Sequence, residues 1–170
     1  MYDFKISAAD KAGFYQDLAA ALESLVAGEP DRIANMANAA ALLFETLPDL
    51  NWAGFYRNVG GELVLGPFQG RAACIRIPFG KGVCGAAAET QTVQRVDDVH
   101  AFPGHIACDA ASASELVVPI VGSDGALIAV LDLDSPMKAR FDEEDLAGCV
   151  KLARLLGTRL GSVAKAPSES

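Results

Sequence analysis

Three of the four cysteines of this chain, Cys74, Cys84 and Cys108, lie in the stretch from 74 to 115, together with both histidines, His100 and His105. The segment around Cys108 has neither a helical nor a strand period. Ordered irregular loops of this length are usually functional. We therefore expect this stretch to carry the chemistry of the protein and the remaining chain to hold its thiols near one another.

The four cysteines differ in their predicted surroundings. Cys108 lies among Pro, Gly, His and Asp, where no periodic pattern predicts burial. Cys84 is predicted in the first turn of a helix, where the helix dipole lowers the pKa of a thiol. Cys149 lies on the apolar face of a predicted helix and is best interpreted as a small buried residue.

A zinc site is the main alternative for the thiols. Structural zinc sites usually take their ligands in close pairs, such as C-x₂₋₄-C and H-x₃₋₅-H. Only His100 and His105 have such spacing, and no two cysteines do. We therefore predict no metal, and each histidine is expected to be a hydrogen-bonding residue more often than a catalyst.

A second group of candidate residues is acidic. Asp132 and Asp134 lie two apart at the end of a predicted strand, so they point to the same face of the sheet. Glu115 begins the neighbouring strand, and a hairpin centred on Ser123 and Asp124 brings it opposite these two residues. Three converging carboxylates can bind a cation or raise the pKa of one member. The alternative is ordinary solvation of strand ends.

Aromatic residues are concentrated on one predicted strand. Trp52 and Tyr56 share a face, and Phe55 points the other way. Phe55 fits core packing. Trp52 and Tyr56 fit either the core or the wall of a small pocket in which their polar tips find partners. A glycine-rich turn at 80–82 opens a short helix and is a weak candidate for binding an anion such as a carboxylate.

The composition excludes several classes of partner. The 170 residues carry a formal net charge of −8, which disfavours nucleic acid and anionic membranes. No apolar run approaches the roughly 18 residues of a membrane span, and the first residues do not resemble a signal peptide. We expect a cytoplasmic protein, in which thiols are more often catalytic, redox-active or metal-binding than structural.

The hydrophobic periods and turn residues predict an α+β fold. A single domain over 1–170 is expected, with a frayed tail from about 164. Its antiparallel sheet should carry long helices on one face and a loop-covered pocket on the other. The predicted helices cover 7–26, 31–47, 83–89 and 142–161, and the predicted strands cover 52–57, 62–65, 74–77, 92–96, 115–121 and 126–133.

Several motifs together resemble one known family, the free methionine-R-sulfoxide reductases, which are single-domain GAF-fold enzymes. The resemblance covers nearly the whole chain, and the three cysteines stand at the spacing of that family. The segment from His100 to Cys108 is its most specific part. The motifs are Asn51-Trp52-Ala53-Gly54-Phe55-Tyr56, Gly66-Pro67-Phe68-Gln69-Gly70, Ala73-Cys74-Ile75-Arg76-Ile77, Gly82-Val83-Cys84-Gly85 and His100-Ala101-Phe102-Pro103-Gly104-His105-Ile106-Ala107-Cys108.

The resemblance implies a role for each thiol. Cys108 would attack the sulfoxide, Cys74 would resolve the product, and Cys84 would support the site or resolve in place of Cys74. Cys149 matches no motif position. The residues implied to hold the substrate are Trp52, Tyr56, Glu115, Asp132 and Asp134.

The chemistry of sulfoxide reduction agrees with these residue types. A thiolate attacks the sulfur while the oxygen is protonated, the thiol becomes a sulfenic acid, and a second thiol condenses with it to a disulfide. An external dithiol, thioredoxin by family resemblance, reopens the disulfide by exchange, and no cofactor is needed. The rival hypotheses are a GAF-type sensor that binds a small ligand without turnover and a zinc-stabilised interaction domain. The oligomeric state stays open, although GAF domains commonly form homodimers through helices.

Overall fold

The computed structural model describes residues 5–104 and 110–161. His105, Cys108 and the tail expected over 164–170 lie outside these residues. Within the described part, no helix combines the length and the apolar character needed to pass through a membrane.

A six-stranded sheet forms the centre of the protein. Its spatial order is β3-β2-β1-β6-β5-β4, and each neighbouring pair is antiparallel. The predicted antiparallel α+β architecture is therefore confirmed. The strands are β1 (Trp52–Val59), β2 (Glu62–Gly70), β3 (Arg76–Pro78), β4 (Gln94–Val96), β5 (Ser114–Val121) and β6 (Leu127–Ser135).

Helices cover the two faces of this sheet unequally. The larger core joins the sheet to three long helices, α1 (Lys11–Val26), α2 (Arg32–Thr46) and α4 (Glu143–Gly161). The short helix α3 (Gly82–Thr90) lies on the opposite face, in a second core cluster. The prediction of long helices on one face is confirmed, and the second face is left for a site.

The helix starts follow from acidic caps. The side chain of Asp31 accepts the backbone N–H of Ala34 and caps α2. Asp142 and Asp145 form a reciprocal capping box at the start of α4, each accepting the other's N–H at 2.9–3.0 Å. The prediction that Ser7 opens α1 is wrong, because Asp10 is the cap.

Most strand predictions were shifted at an end, and two of these errors concern the site. Strand β2 does not end at Gly66 but runs on to Gly70, because Gly66 and Pro67 lie together opposite Phe55 in a register shift. Such a bulge lets a strand continue past a proline, which cannot donate a ladder hydrogen bond. Strand β3 begins only at Arg76, so Cys74 lies in the connection between β2 and β3 rather than in a strand.

Strand alternation divides the side chains between the faces as predicted. Phe55 lies in the core beneath the long helices, whereas Trp52 and Tyr56 lie in the cluster with α3. On β6, Leu131 packs toward the long helices, so its neighbour Asp132 points to the α3 face. The aromatic and acidic candidates thus share one face of the sheet.

Candidate active site

The carboxylates lie in register across the three central strands. Asp134 on β6 pairs with Glu115 on β5 on one side and with Trp52 on β1 on the other. Asp132 occupies the next position on the same face and pairs with Gly54. The convergence predicted from the hairpin is therefore confirmed, although Asp132 lies within the strand rather than at its end. Glu115 and Asp132 are buried, and Asp134 is half-buried.

Helix α3 brings a thiol to the buried carboxylates. Cys84 lies in the first turn, as predicted, is free, and is 4% exposed. Its Sγ donates to Glu115 Oε1 over 3.8 Å. The expectation that the helix dipole would lower its pKa is wrong. Burial, followed by the neighbouring charges of Asp132 and Glu115, raises the pKa of Cys84 well above its usual value.

Burial also shifts the acidic groups toward their protonated forms. It raises the pKa of Asp132 to about 6. For Glu115, burial and then the charges of Asp132 and Asp134 raise the pKa well above the usual carboxyl range. Two carboxyl groups that cannot both ionise easily in a shared buried site hold a proton at neutral pH. The cluster can therefore act as a proton donor.

One oxygen of this cluster is unsatisfied. No donor in the described part of the chain bonds to the buried Oδ1 of Asp132. Buried polar atoms normally have a partner, so this oxygen is suited to a ligand group or a water. One ligand atom each from Cys84, Glu115 and Asp132 lies within 4.8 Å of the others, which is close enough to share a cation. The raised pKa values of these three groups favour their protonated forms over a bound cation.

Stacked aromatic rings form the wall next to the acidic cluster. Trp52 lies 5.9 Å from Tyr56 and 5.2 Å from Phe68 between ring centroids, with nearly parallel planes. Gly54 makes this stack possible, because a Cβ at that position would lie 2.4 Å from the Cβ of Phe68 and 2.8 Å from the Trp52 ring. Such a flat apolar wall is suited to a methyl or thioether group.

The polar tips of these aromatic residues bind the segment 71–75, which connects β2 to β3. Trp52 Nε1 donates to the carbonyl of Arg71 at 3.1 Å, and the Tyr56 hydroxyl donates to the carbonyl of Cys74 at 3.0 Å. Cys74 is half-buried and disulfide-bonded. Cys108, with which the family resemblance pairs it, lies outside the described residues, so the pairing stays a prediction.

A small cavity lies where these features meet. Its volume is about 10 Å³, which is room for about one water molecule. The lining residues are Trp52, Tyr56, Arg71, Ala72, Ala73, Asp132 and Asp134.

Known proteins of the same architecture are closely similar to this chain. Residues 31–160 match the GAF domain model. A protein of Escherichia coli named free methionine-R-sulfoxide reductase is 52% identical over 86% of this chain and 88% of its own length, and the protein of that name from Saccharomyces cerevisiae is 43% identical over 86% of each.

The chain belongs to the free methionine-R-sulfoxide reductase family of GAF-domain proteins. A solved structure points the same way: the free methionine-R-sulfoxide reductase of Neisseria meningitidis in complex with its substrate is 48% identical and superposes with a TM-score of 0.88. That match covers 94% of this chain and 96% of the other.

Some candidates from the sequence lie away from this site. Cys149 is buried on α4 within the core of the long helices, as predicted. His100 is exposed in a short 3₁₀ turn. The glycine-rich turn is a poor anion site, because the N–H groups of Gly80 and Lys81 already donate to the carbonyls of Gly85 and Pro78.

Sequence reasoning missed the contribution of residues 71–73 and the Phe68 ring to the site. Phe68 was missed because the predicted strand ended at Leu65, whereas β2 continues past the bulge at Gly66 and Pro67. Arg71 and Ala72 take part through backbone position, which no residue-type pattern indicates.

Proposed function

We propose that this protein reduces the free amino acid methionine-R-sulfoxide to methionine at the expense of two thiols. Its relatives bear the name of this activity. The observation that carries the proposal is the buried pair Glu115 and Asp132, whose raised pKa values favour the protonated forms, beside a stacked aromatic wall. Sulfoxide reduction requires both features, because the oxygen must be protonated and the methyl thioether must be held.

The first step transfers the oxygen to a cysteine. The thiolate of Cys108 attacks the sulfoxide sulfur, the sulfur–oxygen bond of the substrate breaks, and the oxygen ends on Cys108 as a sulfenic acid. In the second step Cys74 attacks that sulfenic acid, a disulfide forms, and one water leaves. The assignments of Cys108 as attacking thiol and Cys74 as resolving thiol rest on the family resemblance.

Glu115 is the proposed proton donor for the first step. Its raised pKa favours the protonated carboxyl group, which is the state that a general acid needs. Cys84 donates to the same carboxyl group and steadies its orientation. Asp132, whose Oδ1 lacks a described partner, is placed to bind the sulfoxide group or the substrate ammonium.

The remaining groups suit a free amino acid. A substrate ammonium is attracted by the half-buried Asp134 and by Asp132, which lie on the same face. The methyl end fits against Trp52 and Tyr56. A site that binds the ammonium in an enclosed space leaves no room for a continuing peptide chain, so methionine sulfoxide within a protein should be a poor substrate.

Regeneration is assigned to an external dithiol such as thioredoxin, with no resident cofactor. Exchange of a protein dithiol with the Cys74 disulfide restores both thiols and oxidises the partner. This cycle requires a reducing compartment, so we propose the cytoplasm as its location.

Turnover measurements test the proposal. The protein with dithiothreitol should form methionine from free methionine-R-sulfoxide, with little product from the S epimer or from a blocked peptide. Cys108→Ser should form none, because a hydroxyl cannot replace the thiolate. Equal rates on free and peptide-bound substrate would contradict the proposal, and saturable binding without any methionine would favour the sensor hypothesis instead.

A further inference from the structure

The segment 71–75 is attached to β1 at two points. Trp52 donates its indole N–H to the carbonyl of Arg71, and Tyr56 donates its hydroxyl to the carbonyl of Cys74. Both donors are almost fully buried, at 2% and 1% exposure. A third hydrogen bond, from Leu65 N to the carbonyl of Ile75, joins the end of the segment to β2. The backbone on both sides of the Cys74 thiol is therefore fixed by buried donors.

The Tyr56 hydroxyl is committed to this contact. A phenol has one hydrogen to donate, and here the Cys74 carbonyl accepts it at 3.0 Å. The ring is stacked on Trp52, which limits its rotation. Tyr56 therefore offers a substrate its ring, whereas its hydroxyl serves the cysteine-bearing segment.

We propose that Tyr56 is a positioning residue for the disulfide-forming step, acting through the Cys74 backbone rather than on the sulfoxide. The inference rests on the proposed function, in which Cys74 attacks the sulfenic acid. In-line attack at sulfur requires a fixed thiol position, and small displacements of a reacting group are costly in rate. The hydroxyl of Tyr56 fixes the backbone carbonyl of the residue that carries this thiol.

Single-turnover kinetics of Tyr56→Phe test the proposal. Reduced protein is mixed with less than one equivalent of methionine-R-sulfoxide without reductant. Methionine, free thiols and sulfenic acid trapped by a dimedone probe are then followed in time. The phenyl ring keeps the stack, so disulfide formation should slow by about tenfold or more relative to any change in methionine formation. Trapped sulfenic acid should rise accordingly.

Tyr15→Phe is the matched control. Tyr15 is also buried, and its hydroxyl donates to Asp145 between α1 and α4, in the core that contains Cys149 and on the other side of the sheet from Cys74 and Cys84. This variant should keep the wild-type ratio of the two rates. Trp52→Phe removes the other attachment, at Arg71, and should slow disulfide formation by a larger factor than methionine formation, which it also slows because Trp52 belongs to the aromatic wall. It keeps the test decisive should Tyr56→Phe fail to fold.

The outcomes separate this inference from the proposed function. Absence of methionine from the wild type would defeat the proposed function and this inference with it. Normal methionine formation together with wild-type disulfide formation in Tyr56→Phe would overturn the inference alone. Equal slowing of both steps would assign the hydroxyl to the substrate, and the same selective slowing in Tyr15→Phe would reduce the effect to general loosening of the fold. Either result overturns the inference.

Discussion

The thiol of Cys84 and the carboxyl group of Glu115 face each other across the space between α3 and β5, with Sγ 3.8 Å from Oε1. Both groups are buried, and burial raises the pKa of each well above its usual value. Both shifts favour the protonated forms. Since the thiolate is the nucleophile in thiol chemistry, we expect Cys84 to be a weaker resolving thiol than Cys74.

This difference predicts unequal effects of two serine substitutions. Cys74→Ser should form about one equivalent of methionine and then stall as a sulfenic acid until a small thiol is added. Cys84→Ser should continue through many turnovers with dithiothreitol, because a serine hydroxyl can still donate to Glu115. The stoichiometry of methionine per protein, measured with and without reductant, checks both expectations. Multiple turnovers in Cys74→Ser combined with a stall in Cys84→Ser would reverse the assignment.

Glu115→Gln should lower kcat/KM by about 100-fold, the usual scale for a lost general acid. The acid acts in its protonated form, so wild-type activity should fall as pH rises through the raised pKa of Glu115. The variant should lack that alkaline decline, because an amide does not titrate in this range. The exposed Glu144→Gln is the matched control and should keep the wild-type profile. An unchanged pH profile in Glu115→Gln would remove Glu115 from the role of acid.

The sequence predicted those parts of the fold and site that depend on a period or on a short turn. Strand alternation places Trp52 and Tyr56 together, and the hairpin register brings Glu115 opposite Asp134. Both relationships are local, because they follow from counting residues along one or two adjacent strands.

Relationships that depend on tertiary packing could not be predicted by counting residues along the sequence. The prediction of a lowered pKa for Cys84 considered only the helix dipole, whereas burial, and then the charges of Asp132 and Glu115, raise this pKa. Cys74 was expected in a strand, whereas its backbone is held by a tyrosine hydroxyl from β1. A side chain that bonds a distant carbonyl leaves no periodic signal in the sequence.

Asp132→Asn should change stability in a pH-dependent way. The folded-state pKa of about 6 exceeds the unfolded value of 3.8, so the folded protein binds the proton more tightly. The free energy of unfolding therefore falls as pH rises from the unfolded pKa to the folded pKa. Above the folded pKa the full loss, on the order of 3 kcal/mol, is present. Among the described residues, Glu115, Cys84 and Tyr56 face Asp132 and none of these three is a cation, whereas Arg71 lines the cavity on which Asp132 also lies.

The amide variant lacks this cost, so it should be more stable than the wild type at pH 8 and should lose that advantage toward pH 4. Urea unfolding of the reduced proteins at several pH values measures the difference. Asp97→Asn, an exposed change near β4, controls for loss of charge. A constant difference between Asp132→Asn and wild type at every pH would mean that the buried carboxyl does not titrate as described.

Cys149→Ser should affect stability and leave catalysis intact. Cys149 is fully buried on α4, where its thiol lies 3.9 Å from the Tyr15 hydroxyl, and burial raises its pKa to about 12. Serine adds a more polar group to this core, so the free energy of unfolding should fall by about 1 kcal/mol, with kcat/KM unchanged. In the native reduced protein Cys149 should also resist a thiol-specific chromogenic reagent until denaturant is added. Rapid labelling of Cys149 in the native protein, or a loss of kcat/KM in Cys149→Ser without a loss of stability, would show that this thiol is not confined to the core.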